Sequence, residues 1–310
     1  MKVAIVGPGA LGCLLATLFW EAGVDVSLAD YRPERVALLR HRGIQVHTLE
    51  GGQRVVKVPI ALAPEVGPCD LTIMAVKAYH TEAAARALPG LMSQGGLALT
   101  LQNGLGNLEA MARIAGPARL LAGVGLLGVT RPDEGRIIFA GRGVIYIGVP
   151  LKSQVSRGEV AAAVDLFRRA GLECQPREDI EAVLWEKLVI NVGINPLTAM
   201  LRVPNGVLLK LPQAWEVAVA AAQEAQAVAR AAGFTLAGDP EARLKQVCTN
   251  TAANHSSMLQ DILAGRPTEI EALNAQVASR GRALGLPTPV NDLLTHLLKA
   301  AEQSTPFRIA

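Results

Sequence analysis

Lys187, Asn191 and Asn195 recur at four-residue spacing inside EAVLWEKLVINVGINPLTAM. At 100° per residue each step drifts by only about 40°, so an ammonium and two carboxamides share an arc of about 80° on one helix. Leu188, Val192, Trp185 and Val189 stand beside that arc, so the ridge borders the buried face instead of opposing it. A polar ridge so placed predicts the lining of a cleft. Asn competes for backbone hydrogen bonds, and two of them at the edge of an apolar face need a reason beyond propensity. Pro196 is expected to end or kink the helix. An ammonium there can stabilise and protonate an oxygen on which negative charge builds, while the amides orient a polar substrate by hydrogen bonds. The plain alternative for Lys187 is an exposed helix lysine paired with Glu186.

Near the start, Gly7-Pro8-Gly9-Ala10-Leu11-Gly12 reads GxGxxG between an apolar strand and a helix. Glycines there permit a tight turn and the close approach of a pyrophosphate, to which the helix N-terminus offers free N–H groups. The plain alternative is a glycine-rich turn with no ligand. Asp30 can accept hydrogen bonds from an adenosine ribose and favours NAD, whereas Arg32 and Arg35 suit a 2′-phosphate and favour NADP. Lys77 and Asn103 each follow a strand at the carboxyl end of the sheet, where ligands of α/β folds collect. A second polar cluster, Asn254 to Asp261, sets Asn254 and Ser257 three residues apart on a helix. Thr268 to Glu271 fits a capping box that starts the next helix, with Glu269 in its first turn. Capping and dipole stabilisation would explain these three residues without a ligand.

The elements that must position these groups follow from periodicity. Lys2 to Val6, Gly7–Gly12, Leu14 to Glu21 and Val24–Ala29 make a β-α-β unit. Strands are expected at Leu71–Ala75 and Leu97–Leu101, with helices over Thr81–Leu88 and Asn107–Ile114. The alternation predicts a mainly parallel sheet covered on both faces. Leu120–Thr130 and Arg136–Gly148 read as paired strands joined through Pro132-Asp133-Glu134-Gly135. From Asp179 the texture changes to helices at Ala214–Ala232, Pro240–Asn254, Glu269–Leu284 and Asn291–Glu302. The expected organisation is α/β: a Rossmann-like dinucleotide-binding domain over 1–178 and an all-helical substrate domain over 179–310. With no flexible linker, the two should pack closely and hold the ligand between them.

Composition removes other classes. The 310 residues are half hydrophobic, enough for an ample core. A net charge of +3 with scattered Lys and Arg argues against nucleic acid. Cys13, Cys69, Cys174 and Cys248 lie far apart without CxxC spacing, which predicts buried, reduced thiols, no metal site and a cytoplasmic location. VAIVG is too short for a secretory signal, and the uncharged stretch from Ala87 to Leu108 is broken by Pro89, Gly90, Gly95, Gly96 and Gly104, so no membrane partner is expected. Monomer and homodimer both stay open.

Together these residues resemble the ketopantoate reductase family, the 2-dehydropantoate 2-reductases, over nearly the whole chain. GPGALG, VKAYH, LQNGLGN, EKLVINVGINPLTAM, RVPNG and NHSSMLQDILAGRPTEIEALN carry the resemblance. It implies NADPH-dependent reduction of 2-dehydropantoate to pantoate, on the route to pantothenate and coenzyme A. It implies Lys187 as the catalytic residue and Asn103, Asn191, Asn195, Asn205, Asn254 and Ser257 as substrate-binding. Cofactor contacts are implied at Gly7, Pro8, Gly9, Ala10, Leu11, Gly12, Arg32, Lys77, Asn103, Val129 and Glu269, that of Val129 through its main chain. Asp30-Tyr31 departs from the usual pattern, since a carboxylate there repels a 2′-phosphate; Arg32 must then carry NADP preference, and NAD stays open. The rivals are a reductase of another branched 2-keto acid and a non-enzymatic dinucleotide sensor. The sensor leaves the Lys/Asn stripe unexplained.

Overall fold

The computed structural model describes residues 1–48 and 51–304. Lys2–Val6 (β1) leads through the glycine turn into the helix Ala10–Glu21 and out to Asp25–Asp30 (β2), parallel to β1. The remaining described strands are Ile44–His47 (β3), Gln53–Val56 (β4), Ile60–Leu62 (β5), Cys69–Met74 (β6), Met92–Thr100 (β7), Leu120–Gly125 (β8), Gly128–Asp133 (β9), Arg136–Gly141 (β10), Ile145–Gly148 (β11) and Cys174–Pro176 (β12). One sheet runs β12-β11-β8-β7-β6-β1-β2-β5, parallel from β8 to β5, with β11 antiparallel to β8. Both faces are covered. Val3 and Ile5 enter one apolar cluster and Ala4 and Val6 the other, as alternating side chains of a doubly covered parallel strand must. The fold is therefore α/β, with a Rossmann-like sheet followed by a helical C-terminal part. Contacts divide the chain into two compact units: Met1–Gln102 with Asn107–Ile180, and Asn103–Gly106 with the residues from Glu181 onward. All four cysteines are buried and free. Among the described residues no helix is long and apolar enough to cross a membrane.

The expected hairpin divides between two sheets. β8 pairs antiparallel with β11 in the main sheet, while β9 and β10 pair around Glu134-Gly135 in a second sheet ordered β4-β3-β10-β9. Each long strand read from the sequence is thus two strands, broken near Leu126 and Arg142 where the chain passes from one sheet to the other.

In the second unit the ridge residues lie on one helix, Ile180–Leu201, which runs on through Pro196 and is not ended by it. Proline has no N–H for the Val192 carbonyl four residues back. Asn274 Nδ2 donates to that carbonyl at 3.1 Å, and also to Asn291 Oδ1 at 3.0 Å. Asn291 Nδ2 donates in turn to the Ala221 carbonyl at 3.0 Å and to Glu224 Oε2 at 2.7 Å. The alanines of the helix Pro212–Ala231 serve close approach: a Cβ on Gly193 would stand 2.7 Å from the Ala218 carbonyl oxygen.

Two local expectations are corrected. The Thr268–Glu271 capping box does not form: Glu269 precedes a single 3-10 turn, Ile270–Ala272, and the helix proper starts at Asn274. Glu302 on the helix Pro289–Gln303 accepts the Thr268 N–H at 2.8 Å, the bond the box would give to Glu271, and Glu271 pairs with Lys299. Asn254 is not on a helix with Ser257. The helix Pro240–Asn250 ends first, and Ser256 caps a new one, Ser257–Leu263, by accepting the Leu259 N–H at 3.1 Å.

Asn274→Ala would strip donors from the Val192 carbonyl and Asn291 Oδ1, both in a dry core. Its urea midpoint should fall by the equivalent of about 2 kcal/mol or more at unchanged slope. A change within about 0.5 kcal/mol would show that the helix passes Pro196 without this support.

Candidate active site

The glycines of the first turn have separate roles. Gly7 adopts φ +103°, its N–H donates to the Ala29 carbonyl at 3.0 Å, and a Cβ there would lie 2.5 Å from Val76 Cγ1. A Cβ on Gly12 would stand 2.0 Å from the Gly7 carbonyl oxygen. The fold itself demands both. Gly9 differs: its φ is −77°, and among the described residues a Cβ would meet nothing nearer than the Ala75 carbonyl oxygen at 3.6 Å. Internal packing leaves Gly9 free to be larger, whereas an anion closing on the turn does not. Gly9 is the N-cap of the helix Ala10–Glu21 and no side chain among the described residues caps it, so its first-turn N–H groups suit a phosphate. These features fit a dinucleotide.

Asp30 is 2% exposed and its carboxylate is already engaged. Arg35 Nε donates to Oδ2, Arg35 Nη2 donates to Oδ1 at 2.5 Å, and the Tyr31 N–H donates to Oδ1 at 2.7 Å. Arg32 reaches the other way, to Glu134 Oε1 at 2.7 Å, with its Nε buried and unpartnered among the described residues. Lys77 is half-buried at the start of the 3-10 turn Ala78–His80. Its loop is anchored by Gln102, whose Nε2 donates to the Val76 carbonyl at 2.9 Å and to Thr81 Oγ1 at 2.6 Å. Val129 lies on β9 opposite Phe139, on a strand that packs beside the helix Ala10–Glu21.

Asn103 belongs with the second unit. Two residues on, the Leu105 N–H donates to the Ala272 carbonyl at 2.9 Å, and the Ala272 N–H donates to the Glu269 carbonyl at 3.0 Å. Gly104, at φ +80°, passes so close that a Cβ would sit 2.2 Å from the Ala272 oxygen. Asn103 and Glu269 are therefore carried by one backbone knot. On the ridge, Lys187 and Asn191 are half-buried and Asn195 is buried. Burial pulls the Lys187 ammonium from 10.5 down to about 8, and the negative charge of Glu269 keeps it from falling further. Glu186 pairs with Arg243, at 3.3 Å.

The ridge is fastened to the second polar cluster. Thr198 Oγ1 lies 2.8 Å from Ser256 Oγ, immediately before Ser257. The Asn254 carbonyl accepts the Asn205 N–H at 3.0 Å. Asn205 Nδ2 donates to Thr251 Oγ1 at 2.9 Å, and that hydroxyl donates onward to the Val247 carbonyl at 2.7 Å. This chain fixes the amide orientation and leaves Asn205 Oδ1 buried without a donor among the described residues.

Comparison with known proteins shows the family. The family model described as ketopantoate reductase PanE/ApbA matches residues 3–151, and the model of its C-terminal part matches residues 179–302. The chain belongs to the ketopantoate reductase family. A 2-dehydropantoate 2-reductase of Archaeoglobus fulgidus is 36% identical over 301 residues, 97% of this chain and 98% of that protein. A crystal structure of a ketopantoate reductase from Ralstonia eutropha has TM-score 0.88 at 31% identity, covering 98% of this chain and 99% of that one. A D-mandelate dehydrogenase solved with NADH and anilino(oxo)acetate has TM-score 0.90 at 26% identity, with the same coverage. The chain is thus an oxidoreductase of the ketopantoate reductase family, whose fold also serves a mandelate dehydrogenase.

In this ketopantoate reductase scaffold several supporting residues escape a reading by motif. Gln102 adjoins Asn103 in LQNGLGN, a signal that was available. Glu134 and Arg131 come to Arg32 from a distant hairpin, and Asn274 is matched to Pro196 through space; local spacing announces neither.

Glu269→Gln removes the charge that opposes desolvation of Lys187. NMR titration of isotope-labelled lysine should place Lys187 below its wild-type value of about 8. An unchanged or higher value would mean that Glu269 does not act on this ammonium.

Proposed function

We propose that the protein reduces 2-dehydropantoate to pantoate with NADPH in the cytoplasm, supplying pantothenate and coenzyme A synthesis, with Lys187 as general acid. The observation that carries this reading is the half-buried ridge ammonium, drawn to about 8 beside two carboxamides. A general acid works best with a pKa near the working pH.

NADPH, when bound, supplies the hydride to the keto carbon. As negative charge grows on the carbonyl oxygen, Lys187 stabilises it and delivers the proton from Nζ. Asn191 and Asn195, one and two turns along, orient the keto acid. Asn254, Ser257 and Lys77 serve its carboxylate end, and Asn103 meets the substrate beside the nicotinamide. Asn205 Oδ1, a buried acceptor awaiting a donor, suits the substrate's hydroxyl. The first-turn N–H groups of Ala10, Leu11 and Gly12 hold the pyrophosphate, Gly7, Pro8 and Gly9 shape the turn that lets it approach, Arg32 takes the 2′-phosphate, and Lys77, Asn103, Glu269 and the main chain of Val129 serve the nicotinamide end. The choice of NADPH is supported by Asp30, whose carboxylate is engaged by Arg35 and the Tyr31 N–H and is poorly placed to serve a ribose. The likeness to D-mandelate dehydrogenase favours a second reading, a reductase of an aryl 2-keto acid.

A panel of keto acids separates the two. Purified protein should consume NADPH on addition of ketopantoate. Its kcat/KM should fall about tenfold for trimethylpyruvate, which lacks the hydroxyl and so one hydrogen bond, and further for phenylglyoxylate. Lys187→Ala should lose about 10²–10⁴ in kcat. Full turnover by that variant would sink the acid role, and preference for phenylglyoxylate would establish the second reading.

A further inference from the structure

The turn between β9 and β10 carries a carboxylate into a group of arginines. Glu134 Oε1 accepts from Arg32 Nη2 at 2.7 Å, Oε2 accepts from Arg131 Nη1 at 2.5 Å, and Arg35 Nη1 stands 3.7 Å from Oε1. Glu134 is 102 residues from Arg32 in sequence, so the hairpin brings it there. The tip is fixed: the Gly135 carbonyl accepts the Gln45 N–H of β3 at 2.7 Å, and a Cβ on Gly135 would stand 2.6 Å from Leu39 Cδ2.

The place matters. Arg32 lies just beyond β2, whose Ala29 carbonyl holds the Gly7 N–H at 3.0 Å, and dinucleotide folds set the ribose 2′ position near the end of this strand. The arginines are not equivalent there. Arg35 is clamped by both oxygens of Asp30, whereas Arg32 turns to Glu134 and keeps a buried Nε unpartnered among the described residues. Three guanidiniums against the carboxylates of Asp30 and Glu134 leave a single positive charge. A 2′-phosphate carries about 1.5 to 2 negative charges and exceeds it. Without the charge of Glu134 the same arginines would balance that phosphate.

We propose that Glu134 is an internal anion that competes with a 2′-phosphate for Arg32 and Arg131, and so sets the protein's preference between NADP(H) and NAD(H). The proposal rests on Arg32 as the 2′-phosphate residue. It makes the β9–β10 hairpin a specificity element through a residue outside the glycine turn. One unit charge a few ångströms from the phosphate at a half-exposed site corresponds to about a five- to tenfold change in affinity.

The test measures dissociation constants of NADPH, NADH and the probe 2′-AMP by calorimetry on the full chain, as wild type, Glu134→Gln and Glu134→Asp. Glu134→Gln should bind NADPH and 2′-AMP about five- to tenfold more tightly while NADH changes by less than about twofold. Glu134→Asp, too short to span Arg32 and Arg131, should lie between, and it keeps the test decisive if the glutamine variant does not fold. NADPH binding that is unchanged or weaker in the folded variants overturns the proposal and leaves the NADPH reading standing. An equal gain for NADH also overturns it. Binding of NADH alone by all three proteins overturns both the proposal and the NADPH reading.

Discussion

An ammonium drawn to the edge of an apolar core is destabilised by lost hydration, and the helical unit is arranged around that constraint. Lys187 falls to about 8 because burial disfavours its charge, and Glu269 returns only part of what burial removes. Leu188, the next residue, is fully buried, so a rotation of the helix by one residue, 100°, would carry the ammonium into the core or out to water. The chemistry of the ridge therefore depends on how firmly the helix Ile180–Leu201 is held in rotation and length.

Buried polar groups do that holding. Asn274 supplies the donor that Pro196 cannot, so the helix continues to Thr198, whose hydroxyl meets Ser256 and ties the ridge to the cluster containing Ser257 and Asn254. Through Asn291 and Glu224 the same network reaches the helices Pro212–Ala231 and Pro289–Gln303. Both amide N–H₂ groups of Asn274 and Asn291 are fully used, while Asn274 Oδ1 has no partner among the described residues, and removing either side chain would strip further strong hydrogen-bonding groups of partners in the buried interior. The first unit uses a comparable device at the carboxyl ends of its strands, where Gln102 joins the loop after β7 to the Lys77 loop.

The parts of the fold governed by local periodicity were legible in the sequence. The β-α-β start, the alternation that follows and the helical texture after Asp179 all reflect burial repeating along one element. What escaped is set by contacts distant in sequence. Short strands such as β3, β4 and β5 carry too few residues to show alternation, and the sheet change between β8 and β9 leaves the apolar pattern almost continuous. Thr268-Glu269-Ile270-Glu271 satisfies the capping-box spacing, yet Glu302 accepts the Thr268 N–H and Glu271 pairs with Lys299. At the candidate site, residue types pointed to an acid and amide donors. The state of Asp30 could not be read, because whether its carboxylate is free depends on the rotamer of Arg35.

The central claim is that Lys187 delivers the proton to the reduced carbonyl, and the pH dependence of kcat/KM for ketopantoate at saturating NADPH tests it most directly. A general acid must be protonated, so the rate should fall as pH rises through the Lys187 pKa, about 8 in the protein alone. Lys187→Arg, whose guanidinium stays charged, should be slower but lose that falling limb. A limb that persists unchanged in Lys187→Arg would assign the proton to another group and contradict the account.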